Sequence, residues 1–153
     1  MSLSAEVIRL LQGKSLATAE SCTGGGIGAA LTAVPGSSAV YKGGVISYTN
    51  EVKTALLGVP CELLQQTGAV SNETAQQMAQ GVRKLLATDV AVSVTGLAGP
   101  GGDEFGNPVG TVYVGYCDAL GVDVRAFRFD GDREAVRSQT IDAALKIIIE
   151  HNR

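Results

Sequence analysis

The segment Ala19-Glu-Ser-Cys-Thr-Gly-Gly-Gly26 joins a short apolar strand pattern to a run of small residues typical of a helix. The pattern predicts a strand over residues 15–19 and a helix over residues 23–34, so Ser21, Cys22 and the glycine amides should lie at the amino end of that helix. The unpaired N–H groups and partial positive charge of such an end suit a phosphate, a carboxylate or a developing oxyanion. The segment therefore constrains the chain to a strand–turn–helix unit and predicts a reaction site within it.

Helix and strand patterns alternate along the first half of the chain, and a hairpin pattern appears late. The predicted strands are 15–19, 45–48, 89–95, 110–117 and 122–129, and the main predicted helices are 5–11, 23–34, 75–87 and 132–150. This order predicts a three-layer α/β/α sandwich on a mixed β-sheet. Because 153 residues, 45% of them hydrophobic, can bury one substantial core, we expect a single domain over residues 1–153.

The charge pattern and the scarcity of metal-binding residues exclude several classes of function. The net charge is −3 and the 12 basic residues are scattered, which argues against a nucleic-acid surface. Cys22, Cys61 and Cys117 are widely spaced and the one histidine, His151, is the third residue from the end, which argues against zinc, disulfides and a histidine base. We therefore expect no metal and no other cofactor. We also expect a cytoplasmic protein without a leader or a membrane-spanning segment.

The sequence offers candidate residues for a nucleophile and a base even without a usable histidine. Ser21 could attack a carbonyl if a lysine, a tyrosine or a carboxylate took its proton, and a lysine serves when burial or a nearby positive charge lowers its pKa. Lys53 is a candidate because it lies just after the second strand pattern, and Tyr48 is a candidate because it lies nearby, at the end of that pattern. Cys22 at the same helix terminus and Ser38 after a glycine turn are alternative nucleophiles. A simple capping role for Ser21 also stays open.

Two further segments carry groups that suit an anion. The loop from Thr95 to Gly102 follows the central strand, and its glycine amides could cradle an anion, although an ordinary flexible loop has the same composition. Arg133 and Arg137 lie one turn apart on one face of the last predicted helix, near its amino end. Basic side chains there oppose the helix dipole, which favours an anion-binding role over a purely stabilising one.

Seven segments, in the same order, resemble the CinA C-terminal domain family over nearly the whole chain. They are Ala19-Glu-Ser-Cys-Thr-Gly-Gly25, Pro35-Gly-Ser-Ser38, Gly44-Val-Ile-Ser-Tyr48 with Asn50 and Lys53, Gly68-Ala-Val-Ser71, Thr95-Gly-Leu-Ala-Gly-Pro100, Pro108-Val-Gly-Thr111 and Gly131-Asp-Arg133. Several motifs in one order are far more specific than any motif alone. Characterised members of this family include a stand-alone nicotinamide mononucleotide deamidase.

The resemblance implies hydrolysis of the carboxamide of nicotinamide mononucleotide to nicotinic acid mononucleotide and ammonia, a step in pyridine nucleotide recycling. It also implies that Ser21 is the nucleophile and that Lys53 and Tyr48 assist it. Together with the candidates above, the predicted substrate-binding residues are Thr23, Gly24, Gly25, Ser38, Thr95, Gly96, Gly99, Arg133 and Arg137.

As partners we expect a small nucleotide and a second copy of the chain in a homo-oligomer, a dimer, with no nucleic acid and no membrane. Two alternatives stay open. One is an amidase for another small substrate, and the other is a non-catalytic nucleotide-binding or interaction module linked to competence and DNA damage.

Overall fold

The structure, a computed structural model, describes residues 1–153 and contains one five-stranded mixed sheet. Strand β1 (Leu16–Glu20) lies parallel to β2 (Tyr41–Ile46) on one side and to β3 (Val90–Gly96) on the other. The sheet continues antiparallel from β3 to β4 (Thr111–Asp118) and then to β5 (Gly121–Arg128). The parallel pairs at the start of the chain and the late hairpin confirm the mixed sheet predicted from the sequence.

Six α-helices cover the two faces of the sheet. They are α1 (Leu3–Leu10), α2 (Gly26–Thr32), α3 (Asn50–Leu57), α4 (Cys61–Thr67), α5 (Asn72–Leu86) and α6 (Arg133–Asn152). Helices α1, α2 and α6 pack together over one face and α3, α4 and α5 over the other. The predicted three-layer α/β/α sandwich is therefore confirmed. None of the helices is both long enough and apolar enough to cross a membrane.

The central strand β3 divides its side chains between the two helical layers. Val90, Val92 and Val94 belong to the larger core beneath α1, α2 and α6, as the period of two along a strand requires. On the other face, Ser93 donates a hydrogen bond of 2.6 Å to the carbonyl of Ala75 in α5. A Cβ on Gly115 of β4 would lie 2.7 Å from the same carbonyl oxygen. This glycine therefore allows α5 to lie directly on the sheet.

Three elements differ from the sequence prediction, and the first is β2, which spans Tyr41–Ile46 rather than residues 45–48, so that Tyr48 lies beyond the strand. Helix α2 begins at Gly26 rather than at residue 23, because Gly24 and Gly25 have φ values of 59° and 101°, outside the helical region. Helix α4 is not among the predicted helices, because a proline such as Pro60 usually marks the end of a helix. In the structure Pro60 is also the N-cap of α4, a position that suits its fixed φ.

The connections that follow the neighbouring strands β1 and β2 run to opposite faces of the sheet. This leaves a crevice at the carboxyl ends of the parallel strands. The connection after β1 forms α2 on one face, whereas the connection after β2 forms α3 on the other. In open α/β sheets, ligands bind at such switch points, outside the carboxyl ends of the parallel strands. The architecture therefore directs attention to the residues that follow β1, β2 and β3.

Candidate active site

A cavity of about 380 Å³ lies at the carboxyl ends of β1 and β3. It is lined by Ser21, Cys22, Tyr48, Lys53, Ala69, Val70, Thr95, Gly96, Leu97, Ala98, Gly99, Gly101 and Arg133. The volume falls within the range of small-molecule sites. Lys53 and Arg133 are the only residues in this lining that carry an ionisable acid or base of the Asp, Glu, Lys, Arg or His type. A cavity with two basic groups and no carboxylate favours an anionic or electron-rich ligand.

The cavity brings Ser21 and Lys53 together. The Lys53 amine lies 3.0 Å from the Ser21 hydroxyl oxygen and donates a hydrogen bond of 2.7 Å to the Ser47 carbonyl. A longer contact of 3.4 Å reaches the carbonyl of Tyr48. When the amine is neutral, these two carbonyls can take its two N–H groups, which leaves its lone pair for the Ser21 hydroxyl. The geometry is that of a nucleophile with an adjacent base.

Burial makes Lys53 a suitable base. Its side chain is 1% exposed and forms no salt bridge, so nothing with a negative charge compensates the ammonium. Removal from water lowers the pKa of Lys53 from its ordinary 10.5 to about 8. Thr49 caps α3 by accepting a hydrogen bond from the amide of Val52, which fixes the first turn of the helix that carries Lys53. A neutral amine is therefore available just above neutral pH.

Glu20 occupies the amino end of α2, where the sequence predicts an anion. Its carboxylate accepts hydrogen bonds from the hydroxyl of Thr23 at 2.6 Å and from the amides of Ile27 and Gly28 at 2.8 and 3.0 Å. A buried side chain of the chain itself therefore takes the amides of Ile27 and Gly28, which corrects the prediction of free N–H groups for these two residues. The predicted substrate-binding residues Thr23, Gly24 and Gly25 lie beside the cavity and do not line it.

The two arginines of α6 contact different segments. Arg133 lines the cavity and donates to the carbonyl of Gly99 at 2.7 Å and to the hydroxyl of Tyr48 at 3.0 Å. Arg137 does not line the cavity, because its guanidinium donates to the carbonyls of Cys22 and Thr23, both at 3.0 Å. The expectation that both arginines hold one anion is therefore corrected for Arg137.

The predicted residues after β3 form the opposite wall. The hydroxyl of Thr95 donates a hydrogen bond of 2.7 Å to the carbonyl of Ala69, so it ties two wall segments together. Gly96 leaves no room for a side chain, since a Cβ there would lie 2.6 Å from Val112. Asn107, which the sequence analysis did not single out, donates to the carbonyl of Val70 at 3.2 Å. Its position in a glycine-rich loop gave no periodic signal that could have identified it.

The alternative nucleophiles are placed less favourably than Ser21. Cys22 lines the cavity, but burial raises the pKa of its thiol to about 11, which keeps it protonated near neutral pH. Ser38 is exposed in a short 3₁₀ helix, Ser37–Ala39, that precedes β2. It therefore lies at the amino end of β2, whereas Ser21 follows the carboxyl end of the parallel strand β1. At ~3.3 Å per residue this places it roughly 15 Å or more away, so Ser38 does not share the cavity within one chain.

The structure also places Tyr48, predicted to assist catalysis, and His151, the one histidine. Tyr48 is 58% exposed at the mouth of the cavity, where its hydroxyl accepts the bond from Arg133 and only its carbonyl approaches Lys53. His151 stacks on Tyr116 and pairs with Asp123 at the β4–β5 side of the sheet. No group of three or more His, Cys, Asp or Glu side chains is arranged to hold a metal ion.

The chain matches a family model described as the CinA C-terminal domain over residues 1–151. It is 52% identical over 149 residues to a CinA-like protein of Parasynechococcus marenigrum, covering 94% of this chain and 35% of that protein. It is 54% identical over 135 residues to a CinA-like protein of Thermosynechococcus vestitus, covering 86% of this chain and 32% of that protein. The chain thus spans about a third of the length of these relatives.

Solved structures match over nearly their full length. The competence/damage inducible protein CihA from Agrobacterium tumefaciens is 42% identical with a TM-score of 0.95, covering 99% of this chain and 94% of that one. A CinA superfamily protein from Klebsiella pneumoniae is 39% identical with a TM-score of 0.94, and the match covers 97% of this chain and 94% of that one. The strand order and layers described above are therefore those of an experimentally known fold.

Proposed function

The chain belongs to the CinA C-terminal domain family, and we propose that it is a nicotinamide-nucleotide amidase. It hydrolyses the carboxamide of nicotinamide mononucleotide to nicotinic acid mononucleotide and ammonia, and so returns a pyridine nucleotide to use. The observation that carries this proposal is the 3.0 Å contact between the buried amine of Lys53 and the hydroxyl of Ser21. An amide bond requires a nucleophile and a base, and this pair supplies both without a histidine.

The first half of the reaction transfers the acyl group to the enzyme. The Ser21 oxygen attacks the carboxamide carbon while the neutral Lys53 amine takes the hydroxyl proton. The resulting tetrahedral intermediate collapses when its C–N bond breaks, and the Lys53 ammonium returns a proton to the departing nitrogen, which leaves as ammonia. The nicotinoyl group is then held as an ester on Ser21.

Water completes the reaction through the same two side chains. Lys53, neutral again, takes a proton from a water molecule that attacks the ester carbon. The bond between that carbon and the Ser21 oxygen breaks, and the proton returns to Ser21. The products are the nucleotide carboxylic acid and a regenerated pair, so one mole of water is consumed for each mole of ammonia released.

The rest of the cavity suits an aromatic ring and a phosphate. Ala69, Val70, Leu97 and Ala98 supply an apolar wall against which a pyridine ring can lie. Arg133 at the mouth uses two of its five N–H donors on Gly99 and Tyr48. Its remaining donors are available to a phosphate, the anion that the planar guanidinium binds best.

The proposal is tested by measuring ammonia released from nicotinamide mononucleotide by the purified chain. Ser21→Ala and Lys53→Met should each lower kcat by roughly 10³-fold or more, and the double variant should lose little beyond either one, because the two residues act as a unit. Cys22→Ala is the matched control, since it removes the neighbouring nucleophile and should leave most of the activity.

Three other outcomes would each overturn this assignment in a different way. Loss of activity in Cys22→Ala with a normal rate in Ser21→Ala would move the nucleophile to the thiol. Turnover of other small amides but not of the mononucleotide would give an amidase with a different substrate. Tight nucleotide binding without any ammonia would indicate a binding or interaction module.

A further inference from the structure

The turn from Ser21 to Gly24 contains two N–H groups without an acceptor. The Gly24 amide donates to the Ser21 carbonyl at 3.1 Å, which closes a β-turn with Cys22 and Thr23 at its centre. Neither the Cys22 nor the Thr23 amide donates a hydrogen bond to another residue of the chain. These residues are only 5% and 1% exposed, and buried N–H groups without a partner are rare.

Arg137 fixes the peptide group at the centre of this turn. Its Nε atom donates to the Cys22 carbonyl, which belongs to the peptide between Cys22 and Thr23. The two common β-turn types differ in which way that central peptide faces. Because the C=O and N–H of a trans peptide point in opposite directions, holding the Cys22 carbonyl directs the Thr23 N–H away from the guanidinium. The second bond, from Nη2 to the Thr23 carbonyl, prevents rotation about the first.

We propose that Arg137 is a positioning residue that holds the turn after Ser21 so that the N–H of Cys22, a residue that lines the cavity, forms the oxyanion hole of the amidase. This rests on the proposed function. The oxyanion of the tetrahedral intermediate forms next to the Ser21 oxygen, and the amide of the residue that follows a nucleophilic serine is a common donor to it. Arg137 itself does not touch the substrate.

The surrounding contacts favour this role over a phosphate site at Arg137. Its guanidinium faces two main-chain carbonyls, whereas the cavity is lined by the neighbouring arginine, Arg133. The Ile27 and Gly28 amides of α2 are held by Glu20, so the donor at issue, the Cys22 amide, belongs to the turn and not to the helix. Gly24 completes the arrangement, because a Cβ there would lie 3.4 Å from the Arg137 guanidinium and its φ is +59°.

Steady-state kinetics separate a positioning role from a phosphate contact. Arg137→Met should lower kcat for nicotinamide mononucleotide by about 10- to 100-fold, somewhat less than direct loss of an oxyanion donor, while KM stays within about twofold. The same factor should apply to nicotinamide riboside, which lacks the phosphate. Lys146→Met changes an exposed residue of the same helix and serves as the control. A rise in KM confined to the phosphorylated substrate would overturn the proposal.

A serine-directed alkyl fluorophosphonate gives a readout that does not depend on the natural substrate. In this reaction the Ser21 oxygen forms a bond to phosphorus, fluoride leaves, and Lys53 takes the hydroxyl proton, while the phosphoryl oxygen occupies the oxyanion hole. Labelling of Ser21 should be about 10-fold or more slower in Arg137→Met, with the midpoint of its pH dependence unchanged, because Lys53 is untouched. A general loosening of the site would instead expose Lys53 and raise that midpoint.

The outcomes for this proposal and for the amidase function are distinct. Wild-type labelling without ammonia release from the mononucleotide would reject the substrate and keep the positioning role. Equal labelling rates in wild type and Arg137→Met, or no labelling of the wild type, would reject the positioning role. If Arg137→Met does not fold, Arg137→Lys keeps the charge and the aliphatic stem, and it should show the same slower labelling to a smaller degree, since an ammonium lacks the planar fork.

Discussion

Replacing Lys53 by methionine should abolish the amidase reaction and at the same time change how the stability of the fold depends on pH. Burial lowers the pKa of Lys53 from 10.5 to about 8 in the folded chain. Between these two values the unfolded chain binds more protons than the folded one, so the free energy of unfolding of the wild type rises with pH. Methionine has a similar length and no proton to exchange, so the variant lacks this rise.

The size of the effect follows from the two pKa values. Below about pH 7.5 both states hold the proton, and the buried ammonium costs the folded state about 3 kcal/mol, at about 1.4 kcal/mol for each pKa unit. At pH 10 most of this cost has gone. The difference in unfolding free energy, wild type minus Lys53→Met, should therefore increase by about 2.5 kcal/mol between pH 7 and pH 10. Contacts that the variant loses, such as the bond to the Ser47 carbonyl, do not depend on pH and cancel in this comparison.

Urea unfolding of both proteins at half-unit steps from pH 6 to pH 10.5 measures this difference directly. Lys42→Met is the matched control, because Lys42 is exposed on β2 and its removal should leave the pH dependence of the wild type unchanged. A difference that stays flat across pH 7–10 would refute the argument that Lys53 is held in the fold at a desolvation cost. It would also remove the physical basis for a neutral lysine as the base.

Three further results are expected. The value of kcat/KM should rise about tenfold per pH unit below pH 8 and level off above it, because only the neutral Lys53 amine accepts a proton; a rate independent of pH from 6 to 9 would contradict this. Arg133→Ala should raise KM for the mononucleotide by roughly 10-fold or more and leave that for the riboside nearly unchanged, as measured by ammonia release. Glu20→Gln should lower the free energy of unfolding by about 2–3 kcal/mol in urea titrations, because an amide cannot accept all the hydrogen bonds that the buried carboxylate accepts.

The sequence predicts the layers of this fold well because its strands are short and their periodicity is strong. The β-branched run before Gly96 is buried on both faces, as a central strand between two helical layers must be. The glycine turn after β1 and the lysine after β2 were identifiable for a similar reason, since both follow strand ends that share one edge of a parallel sheet. Order along the chain therefore made Lys53 one candidate base for Ser21, and the resemblance to the CinA C-terminal domain family supplied their pairing.

The contacts that decide the fine structure of the site could not be anticipated in this way. Glu20 reaches amides seven and eight residues ahead, so no local pattern identifies it as the cap of α2. Arg133 and Arg137 share a helix face, which suggested one anion, but four residues along a helix separate them by about 6 Å. That distance is enough to bring one guanidinium to the cavity and the other to the turn after Ser21.

The order of these elements along the chain also bears on when the site is completed during synthesis. Ser21 and Lys53 emerge from the ribosome early, whereas both arginines that hold the neighbouring loops come from α6, at residues 133–152. A nascent chain therefore carries its reactive serine for about 110 residues before the helix that orders the surrounding turn begins. The order of synthesis therefore separates the making of the nucleophile from the moment at which Arg137 holds the turn beside it.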